Sequence, residues 1–77
     1  MVHENIKLDI PHVMSAKVYL EGAARVIHIW TDLSAGQVNE IVAFMAALNA
    51  LRDDGPLACD EFAFYLKGSS DAHRSER

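Results

Sequence analysis

Cys59 is the only cysteine in the chain, so no disulfide can form within it and no zinc site of several thiolates can be assembled. Long apolar runs are missing too: nothing approaches the roughly 20 residues that cross a bilayer. The first residues, Met1 to Lys7, place a charge every few positions where a secretory signal would carry an apolar stretch. Basic charge is scarce, with 7 Lys and Arg against 11 Asp and Glu for a net charge of −4, which weighs against a surface that grips phosphate backbones. A Gly-rich phosphate cradle, a Walker-type lysine and a Ser–His–Asp constellation are all absent. With 77 residues there is room for one domain and little volume to enclose a substrate. These absences lead us to expect a cytoplasmic, non-catalytic protein with no cofactor, no metal, no direct nucleic-acid contact and no membrane partner.

What the chain does carry is periodicity. Ile6, Leu8 and Ile10 alternate with Lys7 and Asp9, a short strand with one buried face that Pro11 stops. Alternation resumes with Met14, Ala16, Val18 and Leu20 on one side, and Arg25 to Trp30 form a second run. Gly22 can supply the positive φ that a type II′ turn asks of its first central residue, so a hairpin is expected around Gly22-Ala23. That register pairs Leu20 with Arg25, Val18 with Ile27 and Ala16 with Ile29 on one face, and Tyr19 with Val26, Lys17 with His28 and Ser15 with Trp30 on the other.

Ser34 is followed three residues later by Gln37, the spacing of a capping box, with Leu33 and Val38 placed as a hydrophobic staple. The helix that follows carries Val38, Ile41, Val42, Met45, Leu48 and Leu51 at helical spacing with Phe44 at the margin, and Gly55-Pro56 is expected to end it. In the stretch from Leu57 to Gly68, Phe62, Phe64 and Leu66 alternate with Ala63, Tyr65 and Lys67, which favours a strand over a short helix. The expected fold is α+β: a small antiparallel sheet of three to four strands with one long amphipathic helix on one face, in the order β-β-β-α-β, over residues 1–68. Residues 69–77 hold no apolar side chain beyond Ala72 and are expected to be a disordered tail.

One helix covers only one face of a sheet. Tyr19, Val26, His28 and Trp30, with Val13 beside them, are left on the other and form a candidate contact patch. The outward side of the helix holds Asn39, Ala43, Ala46, Ala47 and Ala50 with Glu40 as its only charge, so Ala43, Ala46, Ala47 and Ala50 are a candidate homodimer interface. Asp53, Asp54, Asp60 and Glu61 form an acidic run suited to a protein partner with a basic surface, where they would steer encounter. As a calcium loop the run lacks the alternating oxygen ligands. The four histidines, His3, His12, His28 and His73, share no metal-ligand spacing, and Cys59 has no base near it in sequence.

Leu33 to Leu48 resembles the C-terminal helix of class I c-type cytochromes over about a fifth of the chain. That family requires a Cys-x-x-Cys-His haem attachment, which one cysteine cannot supply, so no residue role is carried over. Three functions remain in contention. The first is a small acidic protein-binding module, in its narrowest form a phage-type inhibitor that obstructs a bacterial defence or nucleic-acid-handling complex, anti-CRISPR-like. The second is an accessory subunit of a larger enzyme. The third is a small ligand-binding or enzymatic homodimer with an intersubunit pocket using His28, Lys17 and Tyr19.

Overall fold

The computed structural model describes residues 3–6, 8–52, 55 and 58–76. Its strands are β1 (His3–Ile6), β2 (Val13–Glu21), β3 (Ala24–Thr31), β4 (Glu61–Tyr65) and β5 (Ala72–Glu76), and the helix α1 (Val38–Ala50) lies between β3 and β4. The strands form one sheet in the order β1-β2-β3-β4-β5. The class is α+β as expected, with a five-stranded mixed sheet in place of three or four antiparallel strands.

The hairpin follows from its own residues. Gly22 has φ 64°, which lets Glu21 pair with Ala24 across a two-residue turn. The whole predicted register is present, from Leu20↔Arg25 to Ser15↔Trp30. Below it a bulge between Val13 and Ser15 shifts the register, so Met14 is exposed and Val13 packs against the core instead of joining the contact patch. β1 ends at Ile6 rather than running on to Ile10, although Leu8 and Ile10 still pack on the core. The chain then reverses with Val13 N–H bonded to Ile10 O at 3.3 Å. Pro11 and His12 are the central residues of this turn, and His12 has φ 73°, the position and backbone region in which a type II turn favours glycine.

α1 starts later than the capping box implies. The Gln37 side chain does reach back, its Oε1 accepting the Ser34 amide at 2.9 Å, but Ser34 to Gln37 close a turn and Gln37 itself is the N-cap. At the other end α1 stops at Ala50 with Leu51 as C-cap, ahead of Gly55. The stripe that meets the sheet is Phe44 and Leu48 with Ile41, Met45 and Leu51, whereas Val38 and Val42 are 62% and 61% exposed. The helix is thus rolled by roughly 50° from the orientation its valines suggest, at 100° per residue. Phe44 takes the buried position, 4% exposed, with its ring set edge-on 6.2 Å from Phe64, an aromatic pairing that adds to the area it buries.

Two further expectations are corrected. β4 pairs with β3 in parallel, Val26↔Glu61 to Trp30↔Tyr65, since α1 carries the chain back to the end of the sheet where β3 began. Residues 72–76 are not a frayed tail: Gly68, at φ 82°, allows the chain to turn, and β5 pairs antiparallel with β4. A strand added to an existing edge gains backbone hydrogen bonds without needing apolar side chains, which is why composition alone misjudged it. Between α1 and the sheet lie Ala16, Val18, Ile27, Ile29, Leu33, Phe62 and Phe64, all buried. Arg52 is buried beside them with its guanidinium 5.5 Å from the Phe62 ring centroid.

Candidate functional site

Alternation places Ser15, Lys17, Tyr19 and Glu21 of β2, Val26, His28 and Trp30 of β3, and Glu61, Ala63 and Tyr65 of β4 on the face away from α1, with Ala72 and Arg74 of β5 beside them. Parallel pairing sets Trp30 next to Tyr65. Their rings stack 4.9 Å apart with planes 7° from parallel. An antiparallel β4 would have brought Tyr65 to the Val26 end instead. His28 continues the ladder, 5.8 Å from Tyr65 and 4.5 Å from Tyr19, the latter edge-on, and Lys17 Nζ lies 6.0 Å from the Trp30 ring centroid.

A polar chain runs across these rings. His28 Nδ1 is 2.9 Å from the Tyr65 hydroxyl and its Nε2 is 3.4 Å from Glu21 Oε2. A carboxylate can only accept, so the neutral ring is assigned its proton on Nε2 and its Nδ1 accepts the Tyr65 O–H. Arg74 then bridges Glu21, at 3.8 Å, and Glu61, to which its Nη1 donates directly. The Glu61 contact also pushes the Arg74 pKa up. This roof closes over the sheet: Val26 is 2% exposed and His28 9%.

The sequence-derived contact residues therefore separate. Tyr19 and Trp30 are half-buried on this face, and the parallel pairing of β4 brings half-buried Tyr65 beside Trp30. Val26 is corrected from contact residue to floor, because the side chains around it leave no area for a partner. His28 shares the face, but both of its nitrogens are occupied from within the chain. Glu61 is in an ion pair, and Asp60 is exposed with its Oδ2 accepting the Arg25 amide at 2.8 Å. Asp53 and Asp54 lie outside the described residues. Ala43, Ala46, Ala47 and Ala50 are all exposed on α1 and divide between two flanks. Ala43 and Ala47 wall a cleft with Ile10, Pro11 and His12, while Ala46 faces the side of Val38 and Val42.

Tyr65, His28 and Glu21 stand in the order of a hydroxyl, its base and the base's orienting carboxylate. Catalysis would need in addition a substrate position beside the hydroxyl and donors for the developing charge; the cleft walled by Ala43 and Ala47 lies on the α1 side of the sheet. Cys59 is buried, and desolvation raises its thiol pKa, an effect that Arg52 only partly opposes, so its environment favours the unreactive thiol. Among the described residues no three His, Cys, Asp or Glu side chains converge on a point that could hold a metal ion, and no helix is long and apolar enough to cross a membrane. Comparison with family models, curated proteins and solved structures finds no match to the chain.

Proposed function

We propose that this chain is a non-catalytic protein-binding module that docks through the helix-free face of its sheet. The observation that carries the reading is the rigid, half-buried aromatic ladder of Tyr19, Trp30 and Tyr65, with Arg74 at its margin. Trp, Tyr and Arg are the side chains that dominate binding energy at protein interfaces. Rings already locked by stacking and hydrogen bonds lose little freedom on docking.

The partner this face suits offers apolar pockets more than a basic surface. Lys17 and Arg74 balance Glu21 and Glu61 on it, and two of the four carboxylates behind the electrostatic reading are occupied within the chain. The narrower role, obstruction of a bacterial defence complex, is one form of this module and draws on size and net charge alone. The test is comparative capture from a cell lysate with wild type, Trp30→Gln and Tyr19→Gln, each checked by circular dichroism. A partner held by wild type and lost by both folded variants supports the reading; a partner held equally by all three overturns it.

Self-association has its own support. Val38 and Val42 are well exposed beside Ala46 on a helix whose sole charge is Glu40, an apolar flank that a two-fold copy of itself could cover. Light scattering of wild type and Val42→Glu checks it: a dimer that becomes monomeric in the variant is the expected result, and a wild-type monomer at high concentration rejects it.

A further inference from the structure

On the side of the sheet opposite the aromatic ladder, α1 and the turn before β2 enclose a cleft of about 200 Å³ lined by Ile10, Pro11, His12, Glu40, Ala43, Phe44 and Ala47. Its volume is somewhat above that of a hydrocarbon-lined cavity of about 150 Å³, which accepts benzene. One ring with a short substituent fits such a space.

Its polar groups have one electrostatic sense. Glu40 is exposed, and among the described residues its carboxylate has no ion-pair partner. His12 Nδ1 is 2.9 Å from Asp32 Oδ1; a carboxylate can only accept, so the proton is assigned to Nδ1, and in that tautomer Nε2 is an acceptor. Among the described residues, no Lys or Arg lines the cleft. The His12 backbone is held at φ 73° by the turn, and the Asp32 amide bonds its carbonyl at 3.3 Å. A strained residue fixed at the mouth of a cleft is a common feature of ligand sites.

We propose that this cleft binds a small organic cation, an ammonium group on a single apolar ring. Glu40 takes the charge, His12 accepts one ammonium hydrogen, and Ile10, Pro11, Phe44 and the two alanines enclose the ring. Phenethylammonium is the probe, and its neutral counterpart 2-phenylethanol is the control. In ¹H–¹⁵N correlation spectra of the full chain, phenethylammonium is expected to give saturable shifts at the amides of Ile10, His12, Ala43 and Ala47. The alcohol should bind more weakly by about threefold to fivefold, the value of an exposed ion pair, and Glu40→Gln should weaken the ammonium by the same factor. Ala47→Leu, at an exposed helical position that tolerates Leu, fills the cleft and should remove the shifts while the spectrum stays dispersed. Absence of saturable shifts, shifts that survive Ala47→Leu, or equal binding of both probes would each overturn the proposal. None of these results bears on docking through the sheet face.

Discussion

The stacking of Trp30 on Tyr65 makes a prediction that tests both the parallel register and the aromatic face. Replacing Trp30 and Tyr65 by Leu, singly and together, keeps a strand-compatible apolar residue at each position while removing the stack. Both rings are half-buried, so each single change should cost about 1–2 kcal/mol, below the roughly 3–5 kcal/mol of a fully buried aromatic cut to Ala. Tyr65→Leu also deprives His28 Nδ1 of its hydroxyl partner, adding about 1 kcal/mol. The two costs should not add. Rings 4.9 Å apart and 7° from parallel are coupled by about 0.5–1.5 kcal/mol beyond their area, so the double variant should lose less than the sum by that amount. A domain of this size has a total stability of roughly 4–12 kcal/mol. With a urea slope near 1 kcal/mol/M, the coupling corresponds to a midpoint displacement of roughly 1 M. Equilibrium urea unfolding of the four proteins by far-ultraviolet circular dichroism measures it, since tryptophan emission is lost in two of them. Additivity within about 0.3 kcal/mol would refute the stack, and with it the placement of β4 beside β3 in this register.

Truncation after Gly68 removes β5, the His73 ring stacked 5.3 Å from Phe64, and the Arg74 contacts to Glu61 and Glu21. With each cross-strand contact worth about 0.2–1 kcal/mol, the truncated chain should lose roughly 1–3 kcal/mol in urea unfolding, whereas an unchanged midpoint would mean that the strand adds nothing. Burial raises the Cys59 thiol above its ordinary pKa of 9.0. The contribution of this residue to stability is then complete below about pH 9 and is lost as pH rises through the higher folded value. Thermal unfolding of wild type and Cys59→Ala between pH 8 and pH 11 should show the wild type losing more stability over that range; parallel curves would contradict the burial of the thiol.

Local signals were enough for some of this. The hairpin register needed only a glycine able to adopt positive φ and alternation on either side of it, and both act between neighbours in the chain. The same alternation put Tyr19, His28 and Trp30 on one face, and it put Tyr65 opposite Phe62 and Phe64. What alternation cannot say is which strand lies next to which. Tyr65 meets Trp30 because α1 returns the chain in parallel, and Arg74 reaches Glu61 because β5 finds an open edge.

The sequence by itself determined that a helix follows a hairpin and that one sheet face is aromatic, because propensity, turn geometry and side-chain alternation are short-range. Only the tertiary structure decided the roll of α1, the direction of β4, the strand at residues 72–76 and the closure over Val26. Each of these turns on competition for buried area and backbone hydrogen bonds between segments far apart in the chain. Phe44 is buried in place of Val38 and Val42 where Phe64 is there to receive it, and a polar stretch becomes a strand only when β4 leaves an edge to complete.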